Sequence, residues 1–189
     1  MFLYLDSKAK LMIITISGKP GSGKSSVAKL IAKKLKLKHY SIGDFMREIA
    51  EKKGISLLEL GKIAEKERWV DEELDKRQIE LGKSEDNFVI DSRLGFHFIP
   101  NSVKVFLEVD LKTAAERIFN CRRKEEKENL TLNKTMENVK RRIKSERLRY
   151  KKYYSLDCYD KKQYDIIVGT TGMPAEKVSE EVIKRINQP

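Results

Sequence analysis

The segment Gly18-Lys19-Pro20-Gly21-Ser22-Gly23-Lys24-Ser25 constrains this chain more than any other. It satisfies G-x-x-x-x-G-K-[ST], and its flanks supply the context that pattern requires. Ahead of it, Leu11 to Ser17 (LMIITIS) is a near-continuous apolar run, the mark of a strand buried on both faces of a parallel sheet. Behind it, Val27, Leu30, Ile31 and Leu35 recur at helical spacing, predicting a helix from about Lys24 to Leu35. Strand, glycine-rich turn and helix together form a phosphate cradle. Glycines let several backbone N–H groups face one anion, and the helix N-terminus adds partial positive charge. Lys24 then reaches the β and γ phosphates, and the Ser25 hydroxyl reaches magnesium.

The remaining chain repeats the alternation. Strands are predicted at Lys38 to Ile42, Asn87 to Asp91, Val103 to Val109 and Tyr164 to Val168. Helices are predicted over Asp44 to Lys53, from Ser56 (a capping box with Glu59), over Asp71 to Gly82, from Leu111, over Lys134 to Tyr154 and after Pro174. Arg122 to Asn133 has no apolar period and reads as a mobile loop. Alternating strands and helices predict an α/β fold with a parallel sheet. Two excursions, 43–82 and 120–153, stand where movable pieces over the sheet's carboxyl edge belong.

Composition removes competing classes. No run of 18 apolar residues exists, so no membrane span is expected, and the opening MFLYLDSKAK does not read as a signal peptide. Two cysteines, Cys121 and Cys158, sit in no metal spacing and fit reduced thiols in a cytoplasmic protein. With 40 Lys plus Arg against 29 Asp plus Glu, the net charge of +11 calls for an acidic partner without naming it.

The motif alone does not separate kinases from other P-loop proteins. No N-K-x-D follows a later strand, as GTPases need, and motor ATPases need more chain. A small kinase remains. Asp91 ends an apolar strand and is either a magnesium-water holder near Ser25 or a cap on the next turn. Arg47, in Ser41-Ile-Gly43-Asp44-Phe-Met-Arg47, lies one helical turn in, toward an acceptor phosphate. Arg93 lies two residues past Asp91, at a strand's carboxyl end. Arginine suits both places because its fork grips phosphate bidentately. Arg117, Arg122, Arg123, Arg141, Arg142, Arg147 and Arg149 populate the charged excursion, Arg142 and Arg149 on one helical face. A monophosphate acceptor brings its own anionic oxygen, so no general base is needed, and His39 and His97 read as structural.

These residues resemble the nucleoside monophosphate kinases, most closely cytidylate kinase of the archaeal type. The resemblance runs from Met12 to about Ile186, through MIITISGKPGSGKSSVAKLIAKKL, SIGDFMREIAEKKGISLLEL, the Asp71 to Gln78 segment, FVIDSRLG and SERLRYKKYYSLD. It implies an adenylate-kinase-like core with a five-stranded parallel sheet, a monophosphate-binding insert at 43–82 and a lid at 121–133 followed by a basic helix at 134–153. It implies ATP-dependent phosphorylation of CMP and dCMP. ATP would be held by Gly18 through Ser26 (with Lys24 catalytic) and by Arg117. Magnesium would be held at Ser25 and Asp91. The acceptor would be held by Ser41, Gly43, Asp44, Arg47, Asp75, Gln78 and Arg93, with Arg122, Arg142 and Arg149 as lid-side arginines.

The departures are informative. Asp91-Ser92-Arg93 lacks the Phe-Pro of adenylate kinases, which argues against AMP. Leu94 stands where bacterial cytidylate kinases carry Asp. Asp75 and Gln78, three apart on one helix, either read the base edge instead or form an exposed polar face. The first eleven residues lie outside the pattern, as an extension or as sequence ahead of a start at Met12. Adenylate kinase is the alternative within the class. A P-loop protein acting on RNA or ribosomal particles is the alternative outside it, although nucleic acid is not needed to explain the charge. A monomer is expected.

Overall fold

The computed structural model describes residues 12–121 and 131–188. In chain order the elements are β1 (Ile13–Gly18), α1 (Lys24–Leu35), β2 (Lys38–Ser41), α2 (Ile42–Lys52), α3 (Leu57–Lys66), α4 (Trp69–Ser84) and β3 (Phe88–Asp91). Then come α5 (Gly95–Phe98), β4 (Val103–Glu108), α6 (Leu111–Asn120), α7 (Leu132–Tyr154), a 3-10 turn (Lys161–Gln163), β5 (Ile166–Gly169) and α8 (Ala175–Ile186).

The five strands form one parallel sheet in the order β2-β3-β1-β4-β5. β1 is central, so its carboxyl end, where the glycine-rich loop begins, lies where the strand order reverses and open α/β sheets bind ligands. Alternation along the strands assigns the faces. Ile14, Ile16, Val105 and Leu107 pack with Val27 and Ile31 of α1 and with Val178 and Val182 of α8. Phe106 points the other way, into a cluster with Phe96, Tyr150, Cys158, Tyr159 and Tyr164. Both cysteines are free thiols. The segment 43–82 has an apolar cluster of its own, Ile49, Ala50, Leu60, Ala64, Val70 and Leu74.

Capping explains several helix starts. Ser41 accepts from the Asp44 N–H ahead of α2, Ser56 and Glu59 form the expected capping box of α3, and Asp110 accepts from the Thr113 N–H ahead of α6. Several boundaries shift by one or two residues from the sequence reading, and three of the differences are instructive. Gly82 does not end α4; the helix continues to Ser84, because Gly82 is a contact and not a stop. A Cβ there would stand 3.1 Å from Ile99. Leu132 and Asn133 belong to α7, whose N-cap is Thr131. Of the loop expected at 122–133 and the lid expected at 121–133, residues 122–130, with Arg122 and Arg123, lie outside the described residues, as do the first eleven. β5 begins at Ile166; Tyr164 and Asp165 precede it, the Asp165 N–H donating to the Lys104 carbonyl. No helix of the described residues is long and apolar enough to cross a membrane.

Candidate active site

The loop between β1 and α1 has the backbone the motif demands. Gly18 and Gly21 take φ of 144° and 75°, the region that favours glycine. Space requires glycine too: a Cβ on Gly18 would stand 2.2 Å from the Leu107 carbonyl oxygen, and one on Gly21 would stand 2.5 Å from that of Ala114. The Lys24 ammonium curls over the loop and donates to the carbonyls of Gly18 and Lys19, each at 3.1 Å. Burial lowers the pKa of Lys24 well below its ordinary value; Arg93 adds to the effect, while Asp91 and Glu146 oppose it. The Ser17 hydroxyl, at the end of β1, donates to the Arg93 carbonyl at 3.2 Å and joins the loop to the turn that carries Arg93.

Asp91 ends β3 in register with Ser41 of β2 and Ile16 of β1. Its Oδ1 accepts from Ser25 Oγ at 3.1 Å and from Ser41 Oγ at 3.2 Å, and its Oδ2 lies 3.0 Å from His39 Nε2. The next turn is capped by Ser92 instead, whose Oγ accepts the Leu94 N–H. Burial alone would raise the Asp91 carboxyl, but the His39 hydrogen bond and the Lys24 charge hold it below the ordinary value. An ionised carboxylate beside a serine hydroxyl is a hard-oxygen donor pair, the chemistry that suits Mg2+.

A second cluster centres on Glu146 of α7. Its Oε2 accepts from Arg93 Nε at 2.8 Å and from the Tyr159 hydroxyl, and its Oε1 accepts from Arg142 Nε at 3.1 Å. Burial would raise the Glu146 carboxyl, but the two guanidiniums hold it well below the carboxylate range. Arg93 and Arg142, from different elements, are thereby drawn to one carboxylate. One face of α7 also carries Arg149, whose Nε is 3.1 Å from Asp71 Oδ2 of α4 but not aligned for a hydrogen bond.

Other predicted residues are placed as follows. Arg47 pairs with Asp44 beside Gly43 at the start of α2. Gln78 is buried: Ser92 Oγ donates to its Oε1, and its Nε2 donates to the Leu74 carbonyl at 3.3 Å. The exposed-face alternative therefore fails for Gln78, which braces the turn carrying Arg93. Asp75 is partly buried and accepts from the Tyr154 hydroxyl. Arg117 lies on the loop after β5, donating to Thr170 Oγ1 at 3.0 Å and to the carbonyls of Thr170 and Met173 at 2.7 and 3.2 Å. Flanking the outer arm of the phosphate loop, a cleft of about 520 Å³ opens between α6 and α7, lined by Lys19, Pro20, Ala114, Ile143, Arg147 and Leu148. Lys24 and Arg93 are not in its walls.

The sequence reading missed Glu146, Tyr159, Ser92 and His39. For His39 a signal exists: it lies two residues before Ser41 on β2 and so shares its face. For Glu146 the spacing, four residues after Arg142 and three before Arg149, shows no more than a local helical pairing. His97, by contrast, packs edge-on to Phe98 and near Tyr154, away from this cluster, as a structural residue does.

Comparison with known proteins identifies the family. Residues 13–172 match the cytidylate kinase-like family. A cytidylate kinase of Methanocella arvoryzae is 36% identical over 177 residues, covering 94% of this chain and 98% of that protein. One from Sulfurisphaera tokodaii is 34% identical over 178 residues, covering 93% and 96%. The shikimate kinase of Bacteroides thetaiotaomicron superposes with a TM-score of 0.67 at 16% identity, covering 94% of this chain and 99% of that one, a likeness of fold alone. Sequence shared end to end with the archaeal enzymes, on a sheet that carries the phosphate loop at its switch point, settles the family: the chain belongs to the cytidylate kinase-like family.

Proposed function

We propose that the protein is a cytidylate kinase, transferring the γ-phosphoryl group of ATP to CMP and dCMP. The observation that carries this reading is the meeting of the phosphate loop with an arginine cluster. Lys24 curls over the loop that leaves β1, the Ser17 hydroxyl just ahead of that loop donates to the Arg93 carbonyl at 3.2 Å, and Glu146 draws Arg93 and Arg142 together. A site built to hold two phosphate chains needs that concentration of cations.

The transfer makes few covalent demands on the protein. An anionic oxygen of the acceptor phosphate forms a bond to the γ phosphorus as the bond from that phosphorus to the bridging oxygen breaks. The electron pair leaves with ADP, and no proton has to move. The protein's share is alignment, charge neutralisation and exclusion of water. The loop from Gly18 to Ser26 and Arg117 hold the donor, with Lys24 on its β and γ phosphates. Arg93 and Arg47 hold the acceptor phosphate, with Ser41, Gly43 and Asp44 at the mouth of α2. Arg142 and Arg149, with Arg122, supply charge from the lid side. Asp75 faces the base edge, and Gln78 acts behind it through the Ser92 turn. Ser25 and Asp91, the latter through water, would hold Mg2+, which when bound neutralises phosphate charge. The insert at 43–82 is the movable part, and the working unit is a cytoplasmic monomer that needs no nucleic acid.

The test is direct. Incubated with ATP, magnesium and each of CMP, dCMP, UMP and AMP, the protein should release ADP fastest with CMP and dCMP. Faster turnover of AMP would make it an adenylate kinase. No turnover of any monophosphate by folded protein would end the kinase reading.

A further inference from the structure

The contact between His39 and Asp91 has no part in the phosphate loop motif. β2 is an edge strand, and His39 and Ser41 point to the same side of it, with Ser41 in register with Asp91. The carboxylate is therefore gripped from two directions: Ser25 and Ser41 donate to Oδ1, and His39 meets Oδ2. An ionised carboxylate only accepts, so Nε2 of His39 must carry the hydrogen. A neutral imidazole is sufficient; no change of charge is involved.

We propose that His39 is a positioning residue for the metal-bearing side of the site: its Nε2–H fixes the rotation of the Asp91 carboxylate so that Oδ1 stays turned to Ser25. The geometry supports this in three ways. His39 is mostly buried, with its side chain 17% exposed, so its hydrogen bond is shielded from competing water. The hydrogen bonds to Asp91 from Ser25 and Ser41 share one oxygen, so they alone leave the other oxygen unheld. And Asp91 is itself buried, so an Oδ2 without a donor would either rotate toward the serines or draw in water. Both disturb the oxygen aimed at Ser25. Donors of this kind, behind a ligand, typically change metal affinity about 10- to 100-fold.

The proposal rests on reading Ser25 and Asp91 as the magnesium side of an ATP site, so its test separates the two. His39→Gln keeps an N–H donor of similar reach, whereas His39→Met keeps the volume and loses the donor. Mn2+ bound to the enzyme–ATP complex is measured by electron paramagnetic resonance with no acceptor present, alongside ATP binding without metal and thermal melting. The Met variant should hold Mn2+ about 10-fold more weakly than the native protein. The Gln variant should recover most of that loss, and metal-free ATP binding should be unchanged in both. In turnover assays the magnesium concentration for half-maximal rate should shift by the same factor in the Met variant, with the KM for the acceptor unmoved. Equal Mn2+ retention in the Met variant and the native protein would overturn the proposal. So would a Gln variant no better than Met, or a native ATP complex that retains no Mn2+. If no monophosphate is turned over, the kinase reading falls while the Mn2+ measurement still decides the role of His39.

Discussion

Glu146 shows how one buried acid organises the cations of this site. Arg93 and Arg142 come from a strand-end turn and a helix, and would repel each other if brought together alone. The carboxylate between them makes their approach favourable and fixes where the unused N–H groups of each guanidinium point. Arg93 was legible in the sequence, because an arginine two residues beyond an acid that ends an apolar strand stands on the ligand edge. Glu146 was not, because an acid in a basic helix reads as a local i,i+4 pair with Arg142. Its other partners, Arg93 and Tyr159, come from residues 53 and 13 positions away. Arg93→Ala should lower kcat/KM for CMP by about 10²- to 10³-fold, the usual loss for one donor aimed at developing charge. The Kd for ATP should change less than about twofold. Steady-state kinetics with CMP varied, beside calorimetric ATP titration, read the two numbers, and equal loss in both would make Arg93 structural. Glu146→Gln should be worse for the fold than for ATP binding. It leaves the buried Arg93 guanidinium, with the half-exposed Arg142 beside it, facing an amide, at a cost of about 3 kcal/mol in chemical denaturation.

Among the elements, the contact between α4 and α7 is the least expected from sequence. First-turn acids and a glycine marked α4, a basic run marked α7, and the capping box placed the start of α3, because these are local signals. Local signals do not say that two aspartates on α4 face α7. Asp71 meets Arg149, Asp75 meets Tyr154, and Glu65 of α3 accepts from Ser145. Gly82 was misread for the same reason: its meaning is a contact with Ile99, 17 positions along. Burial drives both aspartate carboxyls up to about 6, in Asp71 against the pull of Arg149 and in Asp75 against the Tyr154 hydrogen bond. The sign follows from linkage. A folded value above the unfolded one, near 3.8, means that ionised Asp75 destabilises the fold. The cost is absent below about pH 4, grows as pH rises through about 6, and is complete above it. Asp75→Asn keeps an oxygen for the Tyr154 hydroxyl and removes the charge. It should raise stability at pH 8 by about 1 kcal/mol, discounted because Asp75 is only partly buried, and raise Tm by about 2–4 °C. Thermal melts across pH 4–8 should show that advantage shrinking as pH falls; an advantage independent of pH would mean that Asp75 is not the titrating group.

At the scale of the whole molecule, the charge of +11 and the separate apolar cluster of the insert bear on the same motion. Many lysines are matched in exposed Lys–Glu pairs such as Lys34–Glu180, Lys38–Glu85 and Lys161–Glu108, which add nothing to the net charge and contribute little to stability. A smaller part, Lys24, Arg93, Arg142 and Arg149, is gathered between the sheet edge and α7. The helices α2 to α4 bury an apolar cluster of their own, and they meet the sheet's core where Ile42 and Leu81 pack against Phe88, Ile90 and Ile99, which is where a shift of the insert would hinge. What ties them to α7 is polar: an ion pair and hydroxyl–carboxylate hydrogen bonds, groups that can exchange partners with a bound nucleotide at little net cost. Anionic phosphates entering between the two sides would neutralise the gathered cations and let the insert swing inward, excluding water from the γ phosphate. Small-angle X-ray scattering should therefore give a smaller radius of gyration with a non-transferable ATP analogue and CMP together than with either alone. Water access gives a second readout: ATP hydrolysis without acceptor should stay far slower than transfer to CMP. A radius unchanged by the pair of nucleotides would mean that the insert is fixed in place, and that α4 and α7 form a permanent wall of the site.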